Sequence, residues 1–170
     1  TPELALIDHH TYVLAGDGDL MEGLTYEAAS LAGHLKLGKL ICLYDSNSIT
    51  IEGSTGIAFT EDVKKRFLAQ AWEVLEVENG NDLEELDRAF RKAKRKAEKP
   101  TLIIAKTNIG FGSPKQDHQS VHGEPLKKDE VLTTKKTLGC SQEEPFKYPE
   151  ELTAHFEELA REGARASSSK

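Results

Sequence analysis

Gly16-Asp17-Gly18-Asp19-Leu20-Met21-Glu22-Gly23 lies between two apolar segments, 12–15 and 40–44, and Asn47 follows the second of them. Glycines at the end of a strand let the backbone approach a phosphate, and a helix that begins just after them directs free N–H groups toward it. The Asp17 carboxylate and the Asn47 amide oxygen suit a hard cation such as Mg²⁺, which commonly keeps phosphate oxygens as ligands. A lone Gly-Asp-Gly triplet is usually an ordinary turn. The prediction of a metal and phosphate site therefore depends on the pairing with Asn47 at a second strand end.

Apolar strand segments alternate with amphipathic helical segments as far as Leu126. The periodicity predicts strands at 12–15, 40–44, 72–77 and 101–105, separated by helices at 22–36, 60–71 and 82–98. This βαβαβαβ order predicts an α/β fold with a doubly wound, mostly parallel sheet. Ligands of such sheets bind outside the carboxyl ends of the strands. The glycine-rich stretch, Asn47 and the loop 108–113 are therefore expected to converge.

Particular side chains are predicted to define the ends and the inner faces of these helices. Thr60 and Asp82 are expected to be N-caps. The first and third helices are each expected to bury one apolar face. The first face consists of Leu24, Ala28, Leu31, Ala32 and Leu35, and the second consists of Leu83, Leu86, Phe90 and Ala93. Two trailing C-terminal helices are predicted after Leu126, at 127–138 and 150–165.

The composition excludes some classes of partner. The 170 residues carry a net charge of −7 and are 38% hydrophobic. This acidity argues against a nucleic-acid partner, because affinity for phosphate backbones rests on clustered Lys and Arg. No apolar run approaches the roughly 20 residues that span a bilayer, so no membrane partner is expected. Cys42 lies in an apolar strand and Cys140 in a loop, without metal-type spacing, which favours two reduced thiols in a cytoplasmic protein.

The glycine-rich stretch and its surroundings resemble transketolase, whose thiamine diphosphate motif opens with Gly-Asp-Gly and closes with Asn. The resemblance runs from His10 to Leu126, and more loosely to His155. Besides the opening stretch, it is carried by 10–13, 27–33, 37–40, 44–49, 106–113 and 121–126. It implies that residues 1–126 are part of a thiamine diphosphate-binding (PP-type) domain with an incomplete fold. Residues 127–170 would then form a helical linker towards an absent second domain.

The resemblance implies a metal site and a diphosphate site. Asp17, Asn47 and the backbone carbonyl of Ile49 would bind Mg²⁺ (or Ca²⁺ or Mn²⁺). Gly16 and Gly18 would let the chain approach the diphosphate, with the amide of Gly18 donating to it. From the residues alone, Asp17 could instead be a turn-forming carboxylate and Asn47 a residue that tolerates positive φ.

The resemblance also implies catalytic and ring-binding residues. His122 matches a histidine that reaches both the diphosphate and the substrate, where it would transfer a proton or stabilise a developing alkoxide. Glu22 would lie at the subunit interface beside the glutamate that activates the aminopyrimidine, and simple helix capping is its alternative. Ile51 and Ile109 would pack against the cofactor rings, or else belong to an ordinary core. His118 is one position away from the family spacing, so its role stays open.

The implied reaction is the transfer of a two-carbon ketol unit between sugar phosphates. The expected partners are sugar phosphate substrates and a homodimer mate or a complementary transketolase chain. As a fragment or subunit of such an enzyme, the chain is expected to be inactive alone, because the pyrimidine-activating glutamate belongs to another domain. Two alternatives stay open. One is another thiamine diphosphate enzyme, such as a deoxyxylulose-phosphate synthase or a keto-acid dehydrogenase component, and the other is a non-catalytic remnant that acts as a binding module.

Overall fold

Four parallel strands form the central sheet of the computed structural model, which describes residues 8–95, 98–140 and 144–168. The strands in chain order are β1 Thr11–Gly16, β2 Leu40–Ser46, β3 Ile49–Thr50, β4 Gly53–Ser54, β5 Glu73–Val77 and β6 Thr101–Lys106. The sheet has the order β1-β2-β6-β5, and each neighbouring pair is parallel. The short strands β3 and β4 form a separate antiparallel pair just after β2. The predicted parallel sheet is thus confirmed.

Helices cover both faces of the sheet. Their bounds are α1 Asp17–Met21, α2 Gly23–His34, α3 Val63–Ala69, α4 Leu83–Lys94, α5 Lys128–Thr137 and α6 Glu150–Ser168, with 3₁₀ helices at Thr55–Ile57 and Gln119–His122. On one face, α2 and α3 bury Ala29 and Phe67 together with Trp72 and with Cys42 and Tyr44 of β2. On the other face, α4 packs on a second cluster that includes strand residues 41, 75 and 103. Apolar clusters on both faces confirm the doubly wound α/β class.

Of the inner face predicted for helix α2, Ala32 is buried and the other members are exposed. Ala29, Ala32 and Gly33 are its buried residues, whereas Leu24 and Leu31 are 75% and 57% exposed. The small residues allow a close approach: a Cβ built on Gly33 would lie 1.8 Å from the Gln70 carbonyl oxygen. The Trp72 indole N–H donates to the Ala29 carbonyl oxygen across the same contact, at 2.8 Å. The prediction was wrong here because close backbone packing, rather than side-chain size, selects the inner face.

The boundaries of α3 and α4 correct two further predictions. Asp62, not Thr60, is the N-cap of α3, since its carboxylate accepts a hydrogen bond from the Lys65 amide at 2.9 Å. Asp82 caps α4 as predicted, accepting from two amides in the first turn at 2.9 and 3.1 Å. Helix α4 ends at Lys94 rather than near 98, and residues 96–97 lie outside the described residues. Leu83 is exposed at the start of this helix, and Ala89 lies in the core instead.

Strand β1 is an edge of the sheet. Leu14 is 79% exposed, and Val13 and Leu14 line a largely apolar cavity of about 310 Å³ with Ala28 of α2. Exposed apolar strand edges favour association with other chains. Among the helices that the structure describes, none is both long and apolar enough to cross a membrane.

Candidate metal-binding site

The carboxyl ends of β1, β2 and β6 lie side by side and bring Asp17 and Asn47 together. Gly16 is paired with Asp45, and Ser46 with Lys106. Beyond the strands, the amide of Thr107 donates to the Ser46 carbonyl oxygen at 3.3 Å, and its hydroxyl donates to the Asp45 carboxylate. The predicted convergence of the strand ends is therefore confirmed.

Asp17 is a buried carboxylate surrounded by neutral donors. It is 4% exposed and is the first residue of α1. Its Oδ1 accepts a hydrogen bond from the Tyr44 hydroxyl at 2.7 Å. Its Oδ2 accepts hydrogen bonds from two backbone amides, that of Ser48 at 3.1 Å and that of Asn47 at 3.3 Å. Burial, and next the hydrogen bond to Asp17, raise the pKa of Tyr44 well above its usual range. These bonds join the ends of β1 and β2 through one side chain.

Asn47 is oriented by hydrogen bonds at both ends of its amide. Its Nδ2 donates to Asp45 Oδ1 at 3.3 Å, and its Oδ1 accepts from the Ile49 amide at 2.9 Å. The positive φ of this turn, 63°, belongs to Ser48 and not to Asn47. The alternative interpretation of Asn47, as the residue that tolerates positive φ, is therefore wrong. The left-handed backbone of Ser48 turns the chain so that two successive amides face Asp17.

The donor set fits a hard divalent cation. Three neutral hydrogen-bond donors compensate the charge of the buried Asp17 carboxylate, and no salt bridge of Asp17 with Lys, Arg or His occurs in the described part of the chain. The same residues include no group of three or more His, Cys, Asp or Glu that could hold a metal ion. The other two predicted ligands are the side-chain amide oxygen of Asn47 and the backbone carbonyl of Ile49. All of these are oxygen ligands, which Mg²⁺ and Ca²⁺ prefer.

The two glycines of the Gly-Asp-Gly triplet have different surroundings. The Gly16 amide donates to Asp19 Oδ2 at 2.8 Å, which fixes the start of α1. Gly18 lies in the first turn of α1, where backbone amides have no partner within a helix, and a Cβ built there would meet nothing within 4 Å. Of the two, Gly18 is the better placed to donate its amide to a ligand.

The two predicted ring-binding isoleucines are placed differently. Ile51 follows β3 in a turn and is 70% exposed, so ordinary core burial is excluded for it. Ile109 is half-buried at the start of the loop after β6. This loop needs its glycines, because Gly110 and Gly112 have φ values of 63° and 77°, and a Cβ on Gly112 would lie 2.8 Å from Leu138. The contact between Gly112 and Leu138 also holds the loop against the residue that follows α5.

His122 is exposed at the end of the 3₁₀ helix Gln119–His122, and this helix contacts β3. The ring of His118 caps that 3₁₀ helix, its Nδ1 accepting from the Ser120 amide at 3.2 Å. Glu22 is exposed at the N-cap of α2, but its side chain makes no capping hydrogen bond. The capping alternative for Glu22 nevertheless stays open, because its charge lies at the N-terminus of α2.

Sequence reasoning missed several residues that support the site. Tyr44, Asp45, Ser48 and Thr107 all bond to, or lie beside, the two predicted side-chain ligands. One signal was available for Tyr44: it ends an apolar strand, and a buried tyrosine hydroxyl usually finds a hydrogen-bond partner. No comparable signal in the sequence identifies Thr107, because its contact with Asp45 depends on the insertion of β6 beside β2.

Comparison with known proteins places this geometry in a family. The family model described as "Transketolase, thiamine diphosphate binding domain" matches residues 1–170. Transketolase from Bacillus subtilis (strain 168) is 53% identical over 158 residues, which are 92% of this chain and 24% of that protein. The structure of transketolase from Leishmania mexicana superimposes with a TM-score of 0.92 at 40% identity, covering 99% of this chain and 25% of that one.

A second solved structure, the transketolase complex with sedoheptulose 7-phosphate from Pichia stipitis, has a TM-score of 0.92 at 44% identity. The match covers 99% of this chain and 25% of the solved one. The chain thus spans about a quarter of the length of the relatives that it matches.

Proposed function

We propose a function from one premise: the chain belongs to the family of transketolase thiamine diphosphate-binding domains. It supplies the metal and diphosphate part of a transketolase cofactor site. The observation that carries this proposal is the Asp17 carboxylate, buried at the end of β1 without a salt bridge in the described residues and accepting a hydrogen bond from the backbone amide of Asn47 at the end of β2. A cation at this point would add to the neutral donors that compensate the buried charge, and it would attract the diphosphate.

The metal ligands from this chain would be Asp17, Asn47 and the backbone carbonyl of Ile49. Mg²⁺ fits them best, because it commonly takes few protein oxygens and completes its shell with phosphate oxygens and water. The glycines Gly16 and Gly18 leave room for the diphosphate, and the amide of Gly18 would donate to it. Thiamine diphosphate, when bound, supplies the carbon nucleophile and electron sink for cleaving a carbon–carbon bond.

The remaining site residues would act on the exposed side of the metal ligands. His122, beside β3, would hold or transfer a proton at the reacting oxygen of the substrate. Ile51 and Ile109 would shield the cofactor rings from water, which agrees with the exposure of Ile51 in this structure. Glu22, exposed at the start of α2, would contact a second subunit.

The whole reaction is the transfer of a two-carbon ketol unit between sugar phosphates. Because the chain spans a quarter of its relatives' length, we expect it to turn over only together with the remaining transketolase segments, in one polypeptide or in a homodimeric or complementary partner. The solved relative with bound sedoheptulose 7-phosphate supports sugar phosphates as the substrate class.

Isothermal titration calorimetry with thiamine diphosphate and Mg²⁺ tests the proposal. We expect binding that requires Mg²⁺ and is abolished in Asp17→Ala. The matched control is Asp87→Ala, which removes an exposed aspartate of α4 that pairs with Arg91 on the same helix. This variant should bind as the unaltered chain does.

Two outcomes would contradict the proposal. If Asp17→Ala binds the cofactor as well as Asp87→Ala does, Asp17 is not a metal ligand. If no binding appears even when complementary transketolase segments are added, the chain is a non-catalytic module that retains only the fold.

A further inference from the structure

We propose that Tyr44 is a positioning residue for the metal site, holding Asp17 so that a single oxygen direction is left for a cation. The inference rests on the proposed function, since it concerns the same site. The hydroxyl of Tyr44 lies 2.7 Å from Asp17 Oδ1, and the two partners are 4% exposed each. Tyr44 would never touch the cation or the substrate.

The hydrogen bonds of Asp17 determine which oxygen is available. An ionised carboxylate offers about four lone-pair directions. The backbone amides of Ser48 and Asn47 use both lone-pair directions of Oδ2, and the Tyr44 hydroxyl uses one lone-pair direction of Oδ1. One direction on Oδ1 remains, so Asp17 would bind a metal through that oxygen alone.

The position of Tyr44 in the sheet makes it a rigid donor. It lies in β2 between Ala15 of β1 and Ile104 of β6, the residues paired with it in register. Its ring belongs to the core cluster that includes Phe67 and Leu102. Because the ring cannot swing away without opening this cluster, the hydroxyl holds the carboxylate before any metal arrives. Removing a residue that orients a metal ligand in this way commonly weakens metal affinity by about 10–100-fold.

The test measures Mn²⁺ affinity of the full chain by electron paramagnetic resonance of the free ion. Tyr44→Phe removes only the hydroxyl, and we expect it to weaken Mn²⁺ binding by about 10–100-fold. Asp17→Asn should abolish binding. The matched control is Tyr26→Phe, which also removes a tyrosine hydroxyl from a carboxylate, that of Glu61 at 2.6 Å, and should leave Mn²⁺ affinity unchanged.

A second measurement does not depend on metal. In a double-mutant cycle of Tyr44→Phe and Asp17→Ala, urea unfolding without metal should show coupling of about tenfold or more in the unfolding equilibrium constant, as expected for a hydrogen bond to a charged group. Additive effects of the two substitutions would overturn the inference, as would failure of the unaltered chain to bind Mn²⁺.

The two proposals fail in different ways. If Asp17→Asn abolishes Mn²⁺ binding and Tyr44→Phe leaves it unchanged, the positioning role is wrong and the metal site stands. If Asp17→Asn binds Mn²⁺ as the unaltered chain does, the metal site itself is wrong.

Discussion

Replacing Gly33 by alanine tests whether close backbone packing holds α2 on the core. The added Cβ would lie 1.8 Å from the Gln70 carbonyl oxygen, whereas real Cβ atoms essentially never come within 3.0 Å of a neighbour. The helix and the α3–β5 connection must therefore separate by at least 1.2 Å, the difference of these two distances. Both groups are backbone atoms, so no side-chain rotation can relieve the contact.

The separation should have a large energetic cost. Overpacking a close-packed interior typically costs about 1–3 kcal/mol. The hydrogen bond from Trp72 to the Ala29 carbonyl, 2.8 Å long, spans the same contact and would be stretched, and a buried donor left without its partner costs about 1–3 kcal/mol more. Alanine is favoured over glycine in a helix by only about 1 kcal/mol. The net loss is about 1–5 kcal/mol, which corresponds to a fall in melting temperature of about 2–20 °C for a domain of this size.

Urea and thermal unfolding, followed by the fluorescence of Trp72, provide the assay. Trp72 is the only tryptophan in the chain and lies in this contact. The control is Gly163→Ala in α6, where an added Cβ meets nothing within 4 Å and the substitution should be neutral or slightly stabilising. The packing argument would be refuted by a Gly33→Ala chain whose unfolding midpoint equals or exceeds that of the control.

Two further predictions concern pH and association. Burial raises the pKa of the Cys42 thiol to about 11, so its contribution to stability is complete below pH 9 and is lost as the pH rises towards 11. We expect this loss to lower the free energy of unfolding by about 2–3 kcal/mol at alkaline pH, and we expect no such loss in Cys42→Ala. Urea titrations from pH 8 to pH 10.5 measure it. Equal slopes of the free energy of unfolding against pH in the two chains would count against the prediction. The exposed Leu14 and Leu31 on β1 and α2 should make the chain self-associate. Light scattering coupled to size-exclusion chromatography measures the association. Replacing both leucines by glutamine should shift the chain towards monomer. An unaltered chain that is already a monodisperse monomer would contradict the expectation.

The sequence predicted the fold well where periodicity has a single physical cause. Each strand of the sheet appears within two residues of its predicted place, although the edge strand β1 is exposed over most of its length. The inner face of α2 was not predictable in this way, because its leucines lie on the exposed side and its small residues on the buried side. Its orientation depends on the contact between Gly33 and Gln70, two residues whose proximity exists only in the folded chain.

The site shows a similar division. Asp17 and Asn47 were predictable as neighbours because both follow parallel strands, and their hydrogen bond joins those strand ends. The residues that support them were not predictable. Thr107, for example, reaches Asp45 only because β6 is inserted between β2 and β5. Topology of this kind depends on which strands pair, and a pattern of strands and helices in one chain leaves several pairings open.

Burial is distributed unevenly around Asp17, and this distribution suggests how the site is completed. Behind the carboxylate, Tyr44 and the core cluster are nearly inaccessible to solvent. The other proposed site residues Glu22, Ile51 and His122 are exposed. A rigid backing is what a metal site requires, because its ligands must keep their geometry before the ion binds. Chemistry at a carbon centre also requires that water be excluded from it. The described surface does not provide that enclosure, so we expect the remaining transketolase segments to supply it, and the exposed residues to become buried when they do.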